Sequence, residues 1–194
     1  LRRCIKSELH EEAAEISFLL GKYFQYITKN ADNLIPLSAE YEHAKIYSKI
    51  QELRFEGRIE AKFEELPSEY ASLPVPKLIL QPVIENAYKY GLADKVQDGL
   101  LRVRFDADRE MLRIYIEDNG ENLSPNALAS LKQSLRKAQS GDSLEITGIL
   151  NICKRLDIFS NGQGSLYADR SPLGGLSICI TLAKESENEP IIDC

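Results

Sequence analysis

LILQPVIENAYKYG, residues 78–91, decides how the rest of the chain is read. Leu80, Val83, Ile84 and Ala87 recur at three- and four-residue spacing, the stripe of a helix that buries one side. Glu85, Asn86, Lys89 and Tyr90 interrupt it with a carboxylate, an amide, an ammonium and a phenol. Asn86 and Tyr90 share a face at i,i+4, with Lys89 beside them. Asparagine is a poor helix-interior residue unless its amide has a task. An amide oxygen can hold Mg²⁺, a hard cation that keeps several waters. Lys89 offers a point charge for phosphates, and Tyr90 a ring with a donor. Glu85 can accept a proton from a metal-bound water or orient it. The plainer reading is a core helix with its polar edge in solvent. This stretch by itself leaves both readings open.

The surrounding composition narrows the classes. The 194 residues are 43% hydrophobic and 28% charged, which reads as one generous domain or a domain with a helical extension. No apolar run approaches the roughly 18 residues of a membrane span. A net charge of −6 argues against a nucleic-acid backbone as the main partner. Cys4, Cys153, Cys179 and Cys194 are scattered without a C-x-x-C pair, which disfavours zinc and favours reduced thiols. His10 and His43 sit in strongly charged helical sequence and read as solvated surface histidines. The start at Leu1, without Met or a signal-peptide pattern, reads as a fragment.

Residues 6–28 place Leu9, Ala13, Ile16, Leu20, Phe24 and Ile27 at helical spacing. After KNADNLIP, Ser38 reads as the N-cap of a second helix running to about Phe55. The pair predicts an antiparallel helical hairpin. RIEAKFEEL then alternates as a strand, and LPSEYASLPVP reads as a loop. LLRVRFDA and MLRIYIED predict two strands joined by a turn. Residues 124–139 open with Ser-Pro and predict a helix. A further helix spans about Gly148 to Phe159, and GSLYAD and GGLSICITLAK supply two more strands. The expected class is α+β, a two-layer α/β sandwich with a mixed, mostly antiparallel sheet behind a helical hairpin. Residues 1–56 form the hairpin, 57–185 the α/β unit and 186–194 a charged tail.

Two further stretches carry chemistry. In IYIEDNGENL, 114–123, a strand ends in Asp118-Asn119-Gly120. Glycine permits close backbone approach, and a strand-end carboxylate can accept from a base amino group. Asp-Asn-Gly is also a common turn. In ITGILNICKRL, 146–156, Gly148 opens a helix and leaves backbone N–H groups for phosphate oxygens.

The order of these elements resembles the GHKL ATP-binding fold of sensor histidine kinases, gyrase-type topoisomerases, Hsp90-like chaperones and MutL-like proteins. LxLQPxxENAxKxG, preceded by QELRF-x-x-R at 51–58, is similar to the LytS/YesM-like class of bacterial sensor histidine kinases. The resemblance runs from about residue 8 to residue 183. It implies that Asn86 coordinates Mg²⁺, Lys89 contacts phosphates, and Tyr90 takes the place of a histidine common in the class. Asp118 would read the adenine amino group, with Gly120 shaping the pocket. Gly148 would lie beside the phosphates, and Gly174 and Gly175 in the turn before the last strand. Glu85 matches the class wording as a catalytic carboxylate, while gyrase-like members place theirs one turn earlier, where Pro82 stands. The implied reaction is transfer of the ATP γ-phosphate to a histidine outside this chain, with Mg²⁺ as cofactor. Implied partners are a response regulator protein and a second copy through the N-terminal helices. Membrane attachment would come only through parts outside this chain, making it the cytoplasmic portion of a membrane-bound sensor.

Departures from the pattern motivate a rival. Asn122 stands for the last glycine of Asp-x-Gly-x-Gly, Ile146 for the first glycine of Gly-x-Gly-Leu, and Leu176 for a threonine. Asparagine is the next best residue for a left-handed conformation; isoleucine is not. The rival is a degenerate GHKL module that dimerises and relays conformation without phosphoryl transfer. No Asn-Pro-His-Phe-type acceptor motif occurs, and His10 lacks its context.

Overall fold

The computed structural model describes residues 2–28, 34–139, 148–159 and 164–184, with side chains from residue 11 onward except residue 12. In chain order the elements are α1 (Arg2–Thr28), β1 (Leu34–Pro36), α2 (Leu37–Arg54), β2 (Ile59–Phe63), β3 (Pro74–Pro76), α3 (Gln81–Asn86), β4 (Gly99–Ala107), β5 (Met111–Asp118), α4 (Pro125–Gln139), α5 (Gly148–Phe159), β6 (Ser165–Arg170) and β7 (Leu176–Ala183). Five strands form one sheet in the order β2-β4-β5-β7-β6. Only the β2–β4 pair is parallel. The expected α+β sandwich with its mixed, mostly antiparallel sheet is what forms.

Alternation decides which face is covered. Leu101 and Val103, Leu112, Ile114 and Ile116, Leu166 and Ala168, and Ile178, Ile180 and Leu182 are all buried. Strand residues alternate faces, so these rows line one side of the sheet, where Val83 and Ile84 of α3 and Ile152 and Leu156 of α5 join the same core. On the opposite face the buried Glu117 is held by Arg102 at 2.7 Å and Arg104 at 3.2 Å.

Three expectations are corrected. Helix α2 starts at Leu37, with Pro36 in the N-cap position and no side-chain cap. Ser38 lies inside the helix, and its N–H donates to the Ala71 carbonyl at 3.0 Å while that of Leu37 reaches Leu73 at 2.9 Å. A neighbouring loop therefore takes over the capping. The segment read as a plain loop contains β3, which pairs antiparallel with β1 through Ile35 opposite Val75. Finally, His43 is buried, 1% exposed, stacked against Tyr26 with ring centroids 3.8 Å apart. The charged look of α2 hid a buried polar face of Glu40, His43, Ser48 and Gln51. His10 lies outside the described side chains.

The tautomer of His43 follows from its partners. Gln81 Nε2 donates to Tyr23 Oη at 2.9 Å, so Gln81 Oε1 accepts from His43 Nε2 at 2.6 Å. Nδ1 is left without a partner among the described residues. Burial pulls the imidazole below its ordinary range, against its hydrogen bond to Gln81 and the charge of Glu40; Lys77 reinforces the drop. Below about pH 6.5 the unfolded chain takes up this proton first, so folded stability falls with pH. A wild-type melting temperature that declines between pH 7 and 5.5, with a shallower decline in His43→Phe, is the expected result. Parallel declines would contradict it.

Candidate functional site

Leu80, Val83, Ile84 and Ala87 are all at most 5% exposed, as the stripe predicts, and Tyr88 joins them. The helix does not stay regular. Residues 87–91 form a wide π turn in which the Leu92 N–H bonds back to the Ala87 carbonyl at 2.9 Å. Such turns recur at functional sites because they re-aim side chains. Here the polar residues divide. Glu85 and Lys89 line a cleft of about 330 Å³ against α2, together with Tyr47, Gln51 and Arg54. Burial, followed by the charge of Glu85, pushes the Tyr47 hydroxyl up to about 12. Asn86, half-buried, is outside that lining, and Tyr90 is 61% exposed with the Lys89 ammonium 5.0 Å from its ring centroid. Glu85 and Lys89 thus both line the cleft against α2, Tyr90 lies beside Lys89, and Asn86 is not among the lining residues.

Asp118 extends the apolar row of β5. It follows Leu112, Ile114 and Ile116 on the helix-covered face and is only 2% exposed. The contrast with its neighbour is chemical. Glu117 meets two arginines, whereas the described donors to the Asp118 carboxylate are the backbone N–H groups of Gly120 at 2.8 Å and Leu176 at 3.3 Å, both on Oδ1. No described group donates to Oδ2. Burial raises the Asp118 carboxyl above its ordinary range, with those two N–H groups and the charge of Lys95 opposing. A buried carboxylate with one oxygen unpartnered is poised for an external donor.

Three glycines enclose it. A Cβ at Gly91 would stand 2.7 Å from the Asp118 carboxylate. At Gly120 it would lie 2.7 Å from the Gly91 Cα, and at Gly175 it would lie 2.6 Å from the Gly120 nitrogen and collide with Asp118 Oδ1. Only glycine fits this contact between the end of α3, the strand end and the β6–β7 turn. Gly174 supplies that turn with a φ of +114°. Gly120 and Gly175 were expected at the site; the importance of Gly91 was missed, although it closes the quoted motif. Arg170 also went unread: it ties the turn to the loop after β5 through the carbonyls of Gly174 at 2.9 Å and Leu123 at 2.7 Å.

The remaining positions fall as follows. Gly148 opens α5 in the exposed open, its nearest neighbour for an added Cβ being Pro82 at 4.0 Å, so the α5 N-terminus faces the start of α3. Asn119 is structural, accepting from the Leu100 N–H at 2.8 Å and donating to the Asp98 carbonyl at 2.7 Å. Asn122 does not use the left-handed conformation that asparagine tolerates; its amide donates to Asp94 at 2.9 Å. Leu176 meets Asp118 through its backbone N–H, which any residue but proline supplies. Ile146 lies outside the described residues.

Could these residues hold Mg²⁺ with a nucleotide? Among the described residues no cluster of three His, Cys, Asp or Glu could cage a metal. Mg²⁺ bound to phosphates needs only one or two protein oxygens. Asn86 carries an amide with no hydrogen bond to a described residue and fits that requirement.

Comparison with known proteins gives the same direction. Residues 1–59 match the Histidine kinase family and residues 74–186, more than half of the chain, match the Histidine kinase-, DNA gyrase B-, and HSP90-like ATPase family. The chain is 24% identical over 178 residues to "Sensor protein LytS" of Enterococcus faecalis, covering 91% of this chain and 30% of that protein. It therefore spans about a third of that curated relative. The ATP binding domain of PrrB from Mycobacterium tuberculosis shares the fold at 15% identity and a TM-score of 0.54, over 81% of this chain and 100% of that one. The histidine kinase ThkA, solved in complex with the response regulator protein TrrA, matches at 12% identity and a TM-score of 0.53 over 96% of this chain and 51% of that one. With residues 74–186 matched to its model, this chain belongs to the histidine kinase-, DNA gyrase B-, and HSP90-like ATPase family.

Proposed function

We propose that the chain is the ATP-binding catalytic region of a two-component sensor histidine kinase. Residues 57–185 are the nucleotide-binding unit and 1–56 the end of a helical dimerisation region. The observation that carries this reading is Asp118, buried and without a cation in ion-pair contact among the described residues, with Oδ2 open to a base amino donor. Gly91, Gly120 and Gly175 let the backbone close around that carboxylate. Asn86 would hold Mg²⁺ when the nucleotide is bound, and Lys89 and the exposed N-terminal turn of α5 at Gly148 would meet the phosphates. Mg²⁺ held there would supply charge neutralisation on the phosphates. Catalysis is then mostly positioning, with Glu85, which lines the cleft against α2, as the catalytic carboxylate. The acceptor is a histidine outside this chain: His43 is sealed between tyrosines, and His10 lacks the acceptor motif's context. Such an acceptor in turn serves a response regulator.

Asn86→Ala is expected to weaken Mg–ATP binding by at least about tenfold, the scale lost even with outer-shell metal partners, and to flatten its Mg²⁺ dependence. Equal affinities with and without Asn86 would remove the metal role. The apolar stripe of α1 supports a homodimer: Ile16, Leu20, Phe24 and Ile27 are 37–57% exposed. Phe24→Glu is expected to shift sedimentation toward monomer; unchanged sedimentation would count against this face. No helix among the described residues is long and apolar enough to cross a membrane, and any membrane attachment of such a sensor would lie outside this chain.

The degenerate scaffold is the second reading, favoured by Leu176 and Asn122. Leu176 stands where the family has threonine and bonds Asp118 only through its backbone N–H, and the Asn122 amide bonds Asp94 instead of opening the turn.

A further inference from the structure

The start of α3 is tied to three helices at once. From α2, the Glu40 carboxylate, 0% exposed, accepts the N–H of Leu80 on Oε1 and of Leu78 on Oε2, both at 2.9 Å. From α1, Tyr26 Oη donates to that same Oε2, Lys77 Nζ reaches the Ile27 carbonyl at 3.1 Å, and Tyr23 accepts from Gln81. From α5, Arg155 donates to the carbonyls of Lys77 and Leu78. Leu78 sits at a φ of +61°, in the left-handed region that a leucine avoids. A strained residue persists only where its surroundings over-determine it, and here the bonds that do so come from α1, α2 and α5.

We propose that Glu40 is a positioning residue of the nucleotide site and that Tyr26 sets it, so that docking of α1 controls the placement of α3. The inference rests on the nucleotide reading given above. Asn86 is the last residue of a six-residue helix that begins at Gln81. A shift at Leu78–Leu80 therefore reaches Asn86 with little helix in between to absorb it. Glu40 is buried, so it needs its donors. The Tyr26 hydroxyl stays protonated, because burial and the charge of Glu40 hold it above its ordinary range. When α1 withdraws, Glu40 loses a donor and relaxes, and the Leu78 and Leu80 N–H groups lose their acceptor. The loop that carries Leu78 is then free to leave its left-handed conformation, and α3 turns with it.

Coupling of this kind is reciprocal. If docked α1 favours nucleotide, nucleotide must hold α1 docked. Tyr26→Phe removes one hydroxyl and keeps the ring that stacks on His43, so the fold is expected to survive. Amide hydrogen exchange on the whole 194-residue chain is the first measurement. Tyr26→Phe is expected to speed exchange at Leu78, Leu80 and residues 83–86 at least tenfold, with residues 111–118 unchanged. The second is Mg–ADP titration, where the variant is expected to bind about fivefold more weakly. In the wild type, Mg–ADP should slow exchange at residues 20–28 by a matching factor, and in the variant it should not. Unchanged exchange at Leu78 and Leu80 would overturn the latch. Faster exchange with unchanged Mg–ADP affinity would make Tyr26–Glu40 a structural bond and overturn the positioning role. A wild type that binds no Mg–ADP would bring down the nucleotide reading and the positioning role together, while the exchange at Leu78 and Leu80 would still report on the latch itself.

Discussion

Asp118→Asn is expected to abolish Mg–ATP binding, by at least about a hundredfold, while the protein stays folded. The two halves of that result have separate causes. The Asn carbonyl oxygen can still accept from the Gly120 and Leu176 N–H groups that now meet Oδ1 at 2.8 and 3.3 Å. The NH₂ that replaces Oδ2 is a donor facing the donor of the base, in a buried site. Two buried donors forced together cost more than a missing bond, and a site built to bond a polar group rejects the mismatch strongly. Stability should move the other way. Burial raises the Asp118 carboxyl above its ordinary range, so the folded state holds this proton more tightly than the unfolded chain. That contribution is complete below about pH 3.9 and is lost as pH rises through the folded value. At neutral pH the variant is spared it, and its melting temperature should equal or exceed that of the wild type. Lost binding together with a large drop in melting temperature would make Asp118 a structural residue.

Gly175→Ala is expected to have the largest effect on stability, about 3 kcal/mol or more, at the upper end for overpacking a close contact. The added methyl would stand 2.6 Å from the Gly120 nitrogen and 2.8 Å from the Asp118 carbonyl oxygen. Both are backbone, so neither can swing away. Gly21→Ala is the matched control. Nothing lies within 4 Å of its added carbon, and it sits within α1. There alanine should stabilise by roughly 0.5–1 kcal/mol through helix propensity. Thermal melts of the two variants should move in opposite directions, and a shared direction would mean that the enclosure of Asp118 is looser than described.

The sheet and the buried side of α3 were legible because their burial follows simple periods. Leu101, Val103, Leu112, Ile114 and Ile116 alternate, and Leu80, Val83, Ile84 and Ala87 keep helical spacing. Asp118 and Gly120 were also readable, as a carboxylate and a glycine at the end of an apolar strand. The side of α2 that packs inward was not. Glu40, His43 and Gln51 are buried there as bonded polar groups, and a period search on hydrophobicity cannot register them. β1 and β3 escaped because they are three residues long and rich in proline. The face to which Glu85 and Lys89 turn depends on where α2 lies, a long-range fact that spacing within residues 78–91 does not contain. Gly91 was visible as a letter of the motif; its reason, contact with Asp118, exists only in three dimensions.

Calorimetric titration of Mg–ATP into the whole chain tests the central claim most directly. The expected result is saturable binding near one nucleotide per chain, weakened when Mg²⁺ is withheld and absent in Asp118→Asn. A folded wild-type protein that gives no binding signal at millimolar Mg–ATP would contradict it.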